Sequence, residues 1–155
     1  DKPDWVKALD RTQSAFLSDR YLHPQPRQAL APALQQHASA AMDVSDGLAG
    51  DAAKMMRASG VSAVIDLDKV PLSPAARAAV MADLSCLMLA MTGGDDYEIL
   101  CTAHPDAVVT LRAKAQMANI LLHPIGTVLE AGASPTRFLR DGAEIAVGQG
   151  SFSHF

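Results

Sequence analysis

Asp43-Val44-Ser45-Asp46-Gly47-Leu48 sets two carboxylates and a hydroxyl at the point where a small apolar run gives way to a helical pattern. Upstream, Ala38-Ser39-Ala40-Ala41-Met42 reads as a buried strand; downstream, Leu48, Ala52, Met55 and Met56 recur at helical spacing. Ser45 or Asp46 is therefore expected to cap that helix. A helix start offers free amide N–H groups and the positive end of a dipole to an anion, and Asp43 and Asp46, three apart across the turn, can converge on one cation. Mg²⁺ commonly takes one or two protein carboxylates and fills its remaining positions with water and substrate phosphates. The turn suits that arrangement. The same residues would equally serve as a plain helix cap and a solvated strand end.

A second acidic stretch, Thr92-Gly93-Gly94-Asp95-Asp96, is hinged on two glycines and feeds an apolar strand, Tyr97-Glu98-Ile99-Leu100-Cys101-Thr102. Around these two features the elements read as follows. One helix carries Trp5, Val6, Leu9 and Phe16, a proline-marked link spans Tyr21 to Arg27, and a second helix runs from Arg27 to His37. Ser59-Gly60 stops the helix after the first acidic turn, and Val61 to Leu67 is a strand. Ser73-Pro74 opens an Ala-rich helix continuing towards Leu89, Pro105 starts another through Met117, and Ile120 to Leu129 is a strand. Arg137 to Val147 is a hairpin turning at Asp141-Gly142. Strands alternating with helices and closing in a hairpin imply an α+β fold, a mixed β-sheet flanked by helices.

The 155 residues suffice for one core, and with 49% hydrophobic but only 5% aromatic residues that core is built from Ala, Leu, Val and Met. A net charge of −4 and scattered Lys and Arg argue against a nucleic-acid surface; a phosphorylated substrate would need a metal ion to bind here. Cys86 and Cys101, fifteen residues apart, read as buried thiols of a reducing compartment. The five histidines show no metal-ligand spacing. No signal-peptide pattern opens the chain and no apolar run of about 18 residues can span a bilayer, so a soluble cytoplasmic protein with no membrane partner is expected.

Taken together and in order, D-V-S-D-G-L at 43–48, G-G-D-D-Y-E at 93–98 and the terminal Ser151-Phe152-Ser153-His154-Phe155 resemble the C-terminal domain of the thiamine-monophosphate kinase family, in the superfamily of aminoimidazole-ribonucleotide synthetase. The family pattern is D-[IV]-S-D-G-L, then G-G-E-D-Y-E about fifty residues on, then an aromatic residue followed by D-H-F. Arg20-Tyr21-Leu22 and Pro24-Gln25-Pro26-Arg27 are similar to the family's link between domains. The chain departs from the pattern at Asp95, where a Glu is usual, and at Ser153, where an Asp is usual.

The resemblance implies a helical lead-in over 1–38 and a synthetase-like C-terminal domain over 39–155, with an N-terminal ATP-binding domain absent from this chain and a homodimer in the full-length enzyme. It further implies direct, in-line phosphoryl transfer from ATP to thiamine monophosphate, giving thiamine diphosphate, with no phosphoenzyme and hence no covalent catalytic residue. Asp43 and Asp46 would ligate Mg²⁺, Ser45 would contact the nucleotide, Asp95 would hold the substrate, and Phe152 would pack on the cationic thiazolium ring. Without its N-terminal half the chain is expected to fold but to lack kinase activity. The alternatives are another ATP-using synthetase of the superfamily, or a ligand-binding domain that does no catalysis.

Overall fold

Two short strands decide where the acidic motifs meet. Ala40–Asp43 forms β1 and Ile99–Thr102 forms β3 in the computed structural model, which describes residues 3–147. They pair antiparallel, with Ala40 opposite Thr102 and Asp43 opposite Ile99. Antiparallel pairing puts the end of one strand beside the start of the other. The turn after Asp43 and the loop before Ile99 therefore emerge at the same end of the ribbon, and the two motifs, remote in sequence, become neighbours.

The mixed sheet is four-stranded, in the order β4-β2-β5-β6, and the β1–β3 ribbon stands apart from it. β2 (Ser62–Asp66) pairs antiparallel with β4 (Gly126–Leu129) and parallel with β5 (Thr136–Arg140), which folds back onto β6 (Ala143–Ile145). The hairpin turns at Asp141-Gly142 as expected, and its two positive φ values, 49° and 75°, are those a two-residue type I′ turn requires.

Helix α4 (Leu48–Ser59) lies against both sheets, because its apolar residues recur on one face. Leu48, Ala49 and Ala52 enter a core with Val44, Ile65, Leu67 and Phe138, joined by Leu87 and Met91 of α6 (Ser85–Thr92). One turn on, Met55 and Met56 pack with Ala63 under Met42 and Leu100 of the ribbon. Truncating a methionine as buried as Met91, 2% exposed, costs about 2–5 kcal/mol. Gly60, left-handed at φ 65°, ends the helix as the Ser59-Gly60 signal predicts.

Several element boundaries differ from the sequence expectation, each for a local reason. The Ala-rich helix is two helices, α5 (Pro74–Ala82) and α6, because Asp83 takes an extended conformation and its carboxylate accepts from Ser85 N at 2.9 Å. The first expected helix is likewise α1 (Asp4–Ala8) and α2 (Arg11–Leu22), divided by a reciprocal cap between Asp10 and Gln13. The second is α3 (Ala31–His37), preceded by a 3₁₀ turn over Gln28–Leu30. The strand expected from Ile120 is confined to Gly126–Leu129, since Pro124 has no amide to give a ladder. Helices α1 and α2 lie along α5, and α3 lies along α7 (Pro105–Met117). Cys86 is buried and Cys101 half-buried; burial pushes both thiols up, so neither is a ready nucleophile. Among the described residues no helix is long and apolar enough to cross a membrane.

At the end of the ribbon the two loops touch backbone to backbone, which side chains would forbid. A Cβ on Gly94 would sit 2.2 Å from the Ser45 carbonyl oxygen, and one on Gly47, whose φ is +90°, would sit 2.7 Å from that of Gly93. Gly94→Ala should therefore destabilise the fold by about 1–3 kcal/mol, read as a melting temperature lower by several degrees. Gly50, inside α4 with nothing within 4 Å of an added Cβ, should behave oppositely. Gly50→Ala is expected to stabilise by about 0.5–1 kcal/mol. Thermal denaturation of the two variants checks both signs.

Candidate functional site

Val44 is buried in the core and its amide donates to the Glu98 carbonyl at 2.9 Å, which fixes the start of the acidic turn. The next two amides are claimed by a side chain from inside the helix. Ser45 N and Asp46 N both donate to Asp51 Oδ2, at 2.8 and 2.9 Å, while Lys54 Nζ donates to Asp51 Oδ1 at 3.0 Å and to Asp46 Oδ2. Asp51 is wholly buried. Burial pushes its carboxyl up, but the hydrogen bonds from Asp46 N, Lys54 and Ser45 N outweigh that and hold it below the usual carboxylate range.

This geometry corrects the expected cap. Neither Ser45 nor Asp46 opens the helix: Gly47 is the N-terminal flanking residue, with no side-chain cap, and α4 begins at Leu48. Instead of capping, Ser45 and Asp46 are themselves held: Asp51 reaches back from the first turn to accept from their amides, which precede the helix. Sequence reading passed over Asp51 and Lys54. The signal available was an acid in the first helical turn followed three residues later by a lysine.

The loop before β3 is equally constrained. Gly93 N closes α6 on Leu89 O at 2.7 Å, and Asp95 N donates to Ser45 O at 3.0 Å, joining the two motifs directly. Asp95 and Tyr97 both sit in the left-handed region, at φ 64° and 55°. For an aromatic residue that conformation is a local strain of order 1–3 kcal/mol, sustained by the surrounding structure. Between them, the Asp96 carboxyl is pushed up to about 6 by loss of hydration and by the Glu98, Asp95 and Asp51 carboxylates. Asp96 keeps an exposed outer surface, yet its carboxyl faces this crowd of like charge.

Glu98 in turn accepts from Arg27, at 2.9 Å from Nε to Oε2 and again from Nη2 to Oε1, a two-pronged bond that ties the proline-rich link to the loop. Glu98 raises the Arg27 guanidinium further above its ordinary value, against a smaller opposing effect of burial. Arg27 and Glu98 are 71 residues apart, and no sequence spacing announces the pair.

Of the residues singled out by sequence, the structure brings Asp43, Ser45, Asp46 and Asp95 to one end of the β1–β3 ribbon. Asp43, at the end of β1, is exposed, and its carboxylate has no hydrogen-bonding partner among the described residues. Ser45 is exposed and Asp46 partly buried. Phe152 and the rest of 151–155 lie outside the described residues. Among the described residues no three His, Cys, Asp or Glu side chains form a ready metal cage. A cavity of about 250 Å³ opens instead between α4 and the β5–β6 hairpin, lined in part by Gly50, Lys54, Arg57, Arg137 and Phe138. Lys54 both lines that cavity and bonds the acidic turn.

Known proteins share this framework. Residues 2–135 match the family described as AIR synthase related protein, C-terminal domain. A thiamine-monophosphate kinase of Caulobacter vibrioides is 39% identical over 81% of this chain and 36% of its own length. The crystal structure of thiamine-monophosphate kinase from Stenotrophomonas maltophilia K279a superposes with a TM-score of 0.75 at 33% identity, covering 89% of this chain and 42% of that one. A structure described as AaThiL complexed with AMPPCP and TMP gives a TM-score of 0.73 at 27% identity, over 97% of this chain and 44% of that one. The chain spans less than half the length of each of these proteins. With the match running through both acidic motifs and the strands that pair them, the chain belongs to the family of AIR synthase related protein C-terminal domains.

Proposed function

We propose that this chain is the C-terminal domain, residues 39–155 with a helical lead-in over 1–38, of an ATP-dependent kinase that converts thiamine monophosphate to thiamine diphosphate. The observation that carries the reading is the joining of the D-V-S-D-G-L turn to the G-G-D-D-Y-E loop through Ser45 O and Gly94. Its support from relatives is that proteins named thiamine-monophosphate kinase align across most of this chain, one of them described with AMPPCP and TMP bound. A separate N-terminal domain, a homodimer and a cytoplasmic location belong to the same proposal.

The donor set fits a divalent cation. Asp43 and Asp46 offer hard carboxylate oxygens on a turn whose backbone Asp51 holds, and the neighbouring Asp95, Asp96 and Glu98 carboxylates add negative charge that a cation relieves. Asp43 and Asp46 would hold Mg²⁺, which neutralises phosphate oxygens during in-line transfer. Ser45, exposed between them, would donate its hydroxyl to the nucleotide. Asp95, fixed by its amide to the same turn, would orient the acceptor, and Phe152 would cover the thiazolium ring. The reaction needs position and charge more than covalent chemistry, and the two interlocked loops supply position.

The test is turnover of ATP and thiamine monophosphate by the full-length protein with Mg²⁺, followed as thiamine diphosphate formed; no ADP release with this acceptor overturns the reading. Asp43→Asn and Asp46→Asn should each lower kcat by about a hundredfold or more while moving the melting temperature little, since neither carboxylate is a core group. A collapse of stability that accounts for the lost activity would make them structural instead.

Asp96 gives a pH signature. Its folded value of about 6 lies above its ordinary 3.8, so its protonation favours the folded state fully below about pH 4, and that contribution is lost as pH rises through 6. Asp96→Asn should therefore melt higher than the parent protein at pH 8, with the gain gone at pH 4. Melting curves across that range, without divalent cations, decide it.

A further inference from the structure

Among the described residues, Lys54 is the one cation that touches both the acidic turn and its buried staple. Its ammonium donates to Asp51, 1% exposed at the side chain, and to Asp46, 30% exposed. Asp51 grips the turn through Oδ2, which both backbone amides bond, while Lys54 satisfies its other oxygen. What Lys54 adds is a grip on Asp46. From these bonds we infer that Lys54 is a positioning residue that occupies the Asp46 carboxylate as an internal counter-cation and must release it when a divalent cation takes that carboxylate. The inference rests on the assignment of Asp46 as a metal ligand.

The physical basis is competition for one group of oxygens. An ammonium and a divalent ion both seek the Asp46 carboxylate, and two positive charges on it repel. Before a cation binds, the lysine therefore orients Asp46 and offsets its repulsion with Asp51, at the expense of metal affinity. Lys54 is 40% exposed at its side chain, so once displaced from Asp46 its amine stays bonded to Asp51 or turns to water without burying a charge. It also borders the cavity between α4 and the β5–β6 hairpin, which gives the displaced ammonium an open side to move to.

The experiment measures Mn²⁺ binding alone, by electron paramagnetic resonance, on the full-length protein and its variants. Lys54→Met removes the competitor, and Lys54→Gln removes the charge while keeping a donor for Asp51 should the first variant fold poorly. Both should bind Mn²⁺ about twofold to fivefold more tightly, the size of a partly exposed ion pair. Lys54→Arg, which keeps the charge, should restore parental affinity or weaken it. In an Asp46→Asn background the tightening should largely vanish, because the carboxylate competed for is gone.

Unchanged or weaker Mn²⁺ binding in Lys54→Met and Lys54→Gln overturns the inference, as does tightening that persists in full without Asp46. A lysine with a purely structural part would lower the melting temperature and leave Mn²⁺ affinity alone, which also overturns it. The readout separates this inference from the proposed reaction: turnover of thiamine monophosphate without a Lys54 effect on Mn²⁺ sinks only the former, and the Mn²⁺ effect without turnover sinks only the latter.

Discussion

A carboxylate buried inside α4 has to be satisfied, and the turn before the helix is built to satisfy it. Asp51, wholly buried, would be costly to leave unpaired. Ser45 N, Asp46 N and Lys54 Nζ supply its partners, and in doing so they fix a backbone that exposes Ser45 and holds the Asp46 carboxylate against Lys54. Val44, one residue earlier, is sunk in the hydrophobic core. Between a core residue on one side and a buried carboxylate on the other, the turn has little freedom, as a site that works by positioning requires.

The second loop inherits its order from the first. Gly94 and Gly47 allow a backbone-to-backbone approach that a single methyl group would block, and Asp95 N seals it on Ser45 O. The same tight contact holds Asp95 and Tyr97 at left-handed φ in the short loop between the end of α6 and the start of β3. The crowding of Asp95, Asp96 and Glu98 is the electrostatic side of the same compression. Arg27 offsets part of it at Glu98, while at Asp96 loss of hydration, together with this like charge, raises the proton affinity.

What the sequence revealed was whatever local chemistry determines. The period of Leu48, Ala52, Met55 and Met56, the stop at Gly60, the Asp141-Gly142 turn and the proline starts of α5 and α7 each depend on a few adjacent residues, and all are in the structure. The placing of Asp43 at a strand end was readable for the same reason. Ser45 and Asp46 are good capping residues in isolation, yet neither caps α4: Gly47 takes the flanking position, and the amides of Asp46 and Ser45 are held by Asp51, five and six positions ahead. The separation of β1 and β3 into their own ribbon, and the bond from Arg27 to Glu98, depend on partners that no spacing rule connects.

The β1–β3 ribbon joins segments about sixty residues apart, with Ala40 opposite Thr102, and the Arg27 to Glu98 bond closes a longer span still. Closing such loops costs chain entropy before any contact rewards it, which makes non-local pairing a slow event in folding. The acidic residues meet at the end of this ribbon, so they come together only in a chain that has closed these loops, however helical it is beforehand. A ligand that bridges the two loops would then act as a clasp on segments that only long-range pairing brings together. At a hundred times its dissociation constant it would favour the folded state by about 2.7 kcal/mol, and nascent or partly open chains would differ from finished ones most sharply in their susceptibility to proteases when that ligand is plentiful.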